Sequence, residues 1–138
     1  MITDIYGQLL SLILPKEIVK YFDLVNVEMR SIPEAQQMGV ETGELFFYLD
    51  EKDVYRGAIE GHRYRPNGFY EPSRIRDFPL RDKRVTLIIR RRRWVDAATG
   101  ESVGNRYSLT AEGTRHSVEF AAFLKECFGQ IPDISMFS

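Results

Sequence analysis

Arg84-Val85-Thr86-Leu87-Ile88-Ile89-Arg90-Arg91-Arg92-Arg93-Trp94-Val95 is the stretch on which the reading of this chain turns. In an extended backbone successive side chains point to opposite faces. Val85, Leu87, Ile89, Arg91 and Arg93 then share one face, and Thr86, Ile88, Arg90, Arg92 and Trp94 the other. The first half is apolar on both faces and the second half is arginine on both. That pattern predicts a strand rooted inside the domain with its far end projecting as a cationic ribbon. Asp96–Glu101 supplies a loop and Ser102–Leu109 the returning strand, which makes an Arg-rich β-hairpin over about 84–109.

Working outward, residues 2–14 place Ile2, Ile5, Tyr6, Leu9, Leu10 and Ile13 at helical spacing, with Thr3 or Asp4 as cap and one buried stripe. Pro15 suits the first turn of a second short helix, which carries Ile18, Val19 and Phe22 inward and ends near Asp23. Residues 24–30 and 44–50 read as strands and as candidate partners, separated by a polar loop over 31–44. Residues 51–82 read as irregular, although Arg63–Tyr70 interleaves cations and aromatic rings around a turn. Thr114 or Ser117 caps a C-terminal helix over about 114–128, with Val118, Phe120, Ala121, Phe123, Leu124 and Phe128 mostly inward and Gly129 as its stop. The expectation is an α+β domain spanning 1–138: an acidic helix-and-strand part (1–60), a basic hairpin part (61–109) and the final helix.

With 138 residues, 43% hydrophobic and 28% charged, the chain is long enough to bury a core without staples. Its one cysteine, Cys127, forms no internal disulfide and reads as a buried, inert thiol on the last helix. No signal peptide and no apolar run near the roughly 20 residues a membrane helix requires is present, so a soluble cytoplasmic protein is expected. Two histidines and one cysteine do not make a zinc site unaided, and the carboxylates lack calcium-loop spacing. No metal and no cofactor is expected. Neither a Gly-x-Ser-x-Gly elbow nor a phosphate-binding Gly-rich loop occurs, and no catalytic residue is assigned.

The net charge of −1 conceals a segregation. Residues 1–60 carry five Lys/Arg against eleven Asp/Glu, whereas 61–106 carry twelve against five. A cationic middle on a nearly neutral chain reads as a localised anion-binding surface. The candidate DNA-binding residues are Arg74, Arg76, Arg81, Lys83, Arg84, Arg90, Arg91, Arg92, Arg93 and Trp94, with Arg115 in addition. Arginine's planar fork binds phosphate bidentately and matches the guanine edge, and Trp94 either stacks on a base or anchors the ribbon's root. Two plainer readings stand beside this one: a charge-protected edge strand, and arginines paired internally with the acidic N-terminal half.

Several strings carry a family resemblance: Leu14-Pro15-Lys16-Glu17-Ile18 with Tyr21-Phe22-Asp23, Asp77-Phe78-Pro79-Leu80-Arg81, Arg90–Trp94, Gly113-Thr114-Arg115 and Glu119–Glu126. In this order and spacing they resemble the small N-terminal-region proteins encoded beside, or split from, the transposase of certain bacterial insertion sequences. The likeness runs from Leu14 to Glu126 and is strongest from Asp77 onward. More distantly, Asp77–Trp94 is similar to the strand of the zinc-binding N-terminal region of larger transposases, with the cysteines missing and Asp96–Glu101 in place of the knuckle. The chain departs from the family's pattern at Arg106–Thr110 and at His116-Ser117, where an Asp-Trp-Asn-Leu-like run and a Thr are typical.

The resemblance implies a non-catalytic role in transposition, recognising element DNA such as the terminal repeats for a transposase catalytic chain that performs strand cleavage. The competing expectation is a protein-interaction module whose cationic hairpin docks an acidic surface of the transposase, or of a second copy in a homo-oligomer, without touching DNA. A small enzyme with an unrecognised site is the third reading.

Overall fold

The structure, a computed structural model, describes residues 5–33 and 41–128. In chain order its elements are α1 (Ile5–Ile13), α2 (Lys16–Tyr21), β1 (Phe22–Ser31), β2 (Gly43–Glu51), β3 (Tyr64–Phe69), β4 (Ser73–Leu80), β5 (Lys83–Arg90), β6 (Arg92–Asp96), β7 (Ser102–Val103) and α3 (Val118–Phe128). The class is α+β, with helices at both ends and strands between. The expected caps Thr3 and Asp4 and the expected stop Gly129 lie outside the described residues.

Four strands form the larger sheet in the order β1-β2-β5-β4, and three form a smaller one in the order β3-β6-β7. The strands over 24–30 and 44–50 pair antiparallel, as their composition suggests, from Phe22↔Glu51 to Ser31↔Gly43. β2 and β5 run parallel in the middle of the sheet, Phe47 beside Leu87 and Leu49 beside Ile89. Both central strands are nearly unbroken apolar runs, which suits a position covered on two faces. One face carries the core: Phe47, Leu49, Ile75, Val85, Leu87 and Ile89 pack under Leu14, Ile18 and Phe22 from the helical side. Leu87 is wholly buried; a side chain so placed stabilises by about 1.5–3 kcal/mol. Phe46, Thr86 and Ile88 are buried on the opposite face.

The arginine stretch is split by this topology. β5 belongs to the larger sheet, β6 to the smaller, and only Arg91 separates them. The expected hairpin over 84–109 is correspondingly narrower: β6 pairs with β7 at Trp94↔Val103 and Val95↔Ser102, while β5 takes β2 and β4 as partners. The return strand is two residues long, so the chain has no projecting ribbon here. Asp96 closes the turn by accepting the backbone N–H of Ala98 at 2.9 Å, and His62 Nδ1 lies 2.7 Å from its other oxygen.

Residues 51–82, read as irregular, contain both β3 and β4. Ser73–Leu80 alternates, with Ile75 and Asp77 buried and Arg74 exposed. Pro66 and Gly68 in β3 sit where its pairing with β6 shifts register, a place where proline and glycine are tolerated. β4 and β5 are joined through Arg81 and Asp82, and Arg81 is held at φ 60°, a conformation that β-carbons disfavour. Asp82 compensates locally: its carbonyl accepts the N–H of Thr42 at 2.8 Å, and its carboxylate accepts the Thr42 hydroxyl and Lys83 Nζ.

Two helical expectations are corrected. α1 has no buried residue; Tyr6 and Leu12 are 79% and 83% exposed, and only Leu10 and Ile13 pack partly on the core. On α3 the inward set is Phe120, Ala121 and Leu124, while Val118, Phe123 and Phe128 are exposed. Cys127 is exposed as well, not buried, because it lies off that inward line. Ser117 is the cap: its hydroxyl accepts Phe120 N–H at 3.3 Å and donates to buried Asp77 at 2.8 Å. Segment 115–117 lies along β4, with Arg76 N–H to Arg115 carbonyl and Ser117 N–H to Arg76 carbonyl both 2.7 Å. Among the described residues no helix is long and apolar enough to cross a membrane.

Candidate functional site

The candidate cations divide into those the fold neutralises and those it leaves facing a cleft. On the face of the larger sheet away from α1 and α2, the parallel register sets Arg84 beside Glu44 and Arg90 beside Asp50. Arg90 forms a bidentate pair with Asp50 through Nε at 2.7 Å and Nη2 at 2.6 Å, which raises its pKa further. Arg84 lies 3.4 Å from Glu41 and 3.7 Å from Glu44, and Arg76 lies 3.7 Å from Glu44. Burial pulls the Arg76 pKa down, and Glu44 opposes that shift. Lys83 is paired with Asp82 at 2.7 Å. Carboxylates from β2 and the segment just before it therefore take Arg76, Arg84 and Arg90. The single outward cationic patch expected over 74–93 is corrected accordingly.

The four-arginine run is sorted by strand alternation. Arg90 and Arg92 flank the Phe69 ring, at 4.0 and 4.9 Å from its centroid. Arg91 and Arg93 flank Tyr70 instead, at 5.2 and 5.7 Å. Arg92 is further tied by its Nε to the Glu51 carbonyl at 2.6 Å, and Arg93 by its Nε to the Asn67 carbonyl at 3.1 Å. Trp94 is 3% exposed, with its indole N–H on Asp53 at 3.3 Å and its ring against Tyr55. Of its two expected roles the fold gives it the anchor. Arg81 stands exposed on the β4–β5 turn, apart from the rest.

Two of the candidates converge and a third borders them. Arg91 from the junction of the two sheets and Arg115 from the loop before α3 line one cleft of about 510 Å³; Arg74 of β4 borders it from its strand while its guanidinium crosses the opposite sheet face, 6.0 Å from the Phe46 ring centroid. Arg74 and Arg115 are exposed and Arg91 is half-buried. Ile75, Ile89 and Leu109 give the cleft an apolar component, while Ser73, Thr110 and Thr114 contribute hydroxyls. Among the described residues no carboxylate lines it. Arg91 also lines a second cleft, of about 350 Å³, together with Tyr55, Tyr70, Asn105 and Arg106, and among the described residues no carboxylate lines this one either. In such surroundings guanidinium groups have hydrogen-bonding capacity left for an external anion.

A buried polar hub adjoins both clefts, through Tyr107 at the first and Asn105 at the second. Glu51, 1% exposed, accepts Arg92 N–H at 2.8 Å on one oxygen, and Asn105 Nδ2 at 2.6 Å with the Tyr107 hydroxyl on the other. Burial and that hydrogen bond push the Tyr107 pKa up to about 12, against the Arg56 guanidinium that stacks on its ring. The hub ties the end of β2 to the sheet junction and to segment 105–107. It fixes Tyr107, which lines the first cleft, and the backbone next to Arg91.

Comparison with family models, with curated proteins and with solved structures returns no match.

Tyr70, Ser73, Arg106, Tyr107, Thr110 and Thr114 were missed as site residues by sequence reasoning. For Tyr70 a signal existed in the interleaved Arg63–Tyr70 segment; for Ser73 and the residues after 105 none did, since they join the cleft only through tertiary packing. Among the described residues no group of three or more His, Cys, Asp and Glu side chains is arranged to hold a metal ion.

Proposed function

We propose that this chain is a non-catalytic DNA-contacting component of bacterial transposition, working beside a transposase catalytic chain in the cytoplasm. The observation that carries this reading is the cleft that Arg91 and Arg115 line and Arg74 borders, in which no described carboxylate takes part. The same fold supplies acids to Arg76, Arg84 and Arg90, so the contrast is internal to one molecule. The resemblance of Leu14–Glu126 to transposase-associated proteins supports DNA as the polyanion. The grip is by cleft, not by the projecting ribbon that the sequence suggested.

The test is binding of labelled DNA to the purified chain across a salt series. Three phosphate contacts give a slope of log K against log salt of about −2 to −3. Changing Arg74, Arg91 and Arg115 together to Ser abolishes binding while leaving the circular dichroism spectrum unchanged. Absence of binding at low salt, or full retention by the triple variant, would refute the proposal.

A second reading has its own observation: α1 leaves Ile5, Tyr6 and Leu12 largely exposed, a surface suited to a protein partner. Here the chain is an interaction module for the transposase or for a second copy. A stable complex with the catalytic chain, unaffected by the triple variant and formed without DNA affinity, would favour it.

A further inference from the structure

Resting on the reading above, we infer that the two clefts joined at Arg91 bind single-stranded DNA, with unpaired bases, in preference to duplex. The argument begins with shape. A duplex presents phosphates on a convex surface and shields its base faces, so proteins that read it insert a helix or a two-stranded ribbon into a groove. Here the arginine run is built into two sheets and β7 is two residues long, so the element a groove requires is missing from this face. What the face offers is concave.

Chemistry points the same way. A single strand needs cations along its backbone together with apolar or π surfaces for its exposed bases. In the first cleft Arg91 and Arg115 supply charge, and Ile75, Ile89 and Leu109 supply the apolar surface. The second supplies Tyr55, Tyr70 and Arg106. Arg91 lines both and lies 5.2 Å from the Tyr70 ring centroid, so its guanidinium already extends an aromatic surface on which a base can stack. Phosphate binding alone would have no use for the apolar and aromatic portions. A strand with its bases turned inward uses every part of the track.

The experiment compares, at one salt concentration, fluorescence anisotropy titrations with a short oligothymidine, the matching blunt duplex and an abasic strand of equal length. The single strand is expected to bind at least about tenfold tighter than the duplex, and the abasic strand at least about fivefold weaker than the oligothymidine. Tyr70→Ala weakens oligothymidine binding by a similar factor but not that of the abasic strand, and Tyr70→Phe restores it. Should Tyr70→Ala fail to fold, the abasic comparison still decides the matter. Duplex binding equal to or tighter than single-strand binding, or an abasic strand that binds equally well, overturns this inference and leaves the DNA-contacting role standing. Failure of all three nucleic acids to bind overturns both.

Discussion

Glu51→Gln is a perturbation whose effects follow from three hydrogen bonds. The carboxyl oxygens receive one backbone N–H, from Arg92, and two side-chain donors, from Asn105 and Tyr107. Glutamine retains one acceptor oxygen. If that oxygen serves Asn105 and Tyr107, the new NH2 group faces the Arg92 N–H, one buried donor is orphaned and two donors oppose each other. The cost is about 1–3 kcal/mol, or about 1 M in the urea midpoint for a chain of this size. Glu51→Ala orphans all three donors and costs about 3–5 kcal/mol after partial hydration. A second readout tracks the same site. Tyr107 titrates at about 12 in the native protein because of burial first and the Glu51 hydrogen bond second. In Glu51→Gln the second cause disappears and burial remains, so the titration falls below its native position but stays above the ordinary 10.0. The sign for stability follows: a folded pKa above the unfolded one contributes stability that is complete below pH 10 and is lost as pH rises through about 12. Tyrosinate absorbance against pH, with urea denaturation at neutral pH, measures both. An unchanged midpoint together with an unchanged Tyr107 titration would refute the account of Glu51 as the hub's acceptor.

Other consequences are equally direct. Arg81→Gly relieves the left-handed backbone at φ 60° and raises stability by about 0.5–1 kcal/mol in chemical denaturation; a loss would contradict the strain argument. Lys83 and Thr42 hold the Asp82 carboxyl down to about 2, so its contribution is present above pH 3.8 and disappears as pH falls toward about 2. The stability difference between the native chain and Asp82→Asn therefore shrinks across that window, and a constant difference would argue against it. Trp94→Ala costs about 3–5 kcal/mol, while in the native chain nucleic acid leaves Trp94 fluorescence unquenched because the ring is covered. Arg90→Ser lowers stability by no more than about 1 kcal/mol and leaves nucleic-acid affinity at low salt little changed, since Asp50 already occupies that guanidinium.

Much of the architecture was legible because it rests on local periodicity. Val85–Ile89, broken only by Thr86, and Leu45–Leu49 are apolar runs and became the two central strands; Pro15 marked the break between α1 and α2. Ser73–Leu80 was missed although it alternates, since Pro72 and Pro79 suggested irregular chain. The fate of each arginine was the least legible property. Arg90 meets Asp50 across 40 positions of sequence, through a parallel register that no local pattern encodes. Arg91, its immediate neighbour, falls between two sheets and so faces the clefts. The apolar stripe of α1 was read correctly as a pattern, but the sheet's core face is already filled by Leu14, Ile18 and Phe22.

The parallel pairing of β2 with β5 has a bearing on how the protein is made. During synthesis Leu45–Leu49 leaves the ribosome well before the Val85–Ile89 segment that must lie beside it. Until then the nascent β1–β2 hairpin carries a bare, greasy flank, a state prone to clumping. Closure awaits a long excursion and a non-local contact, which slows it. A host that outpaces this step, through strong overexpression, will collect inclusion bodies, and cooler, slower translation or a chaperone that shelters the first fifty residues will recover native material.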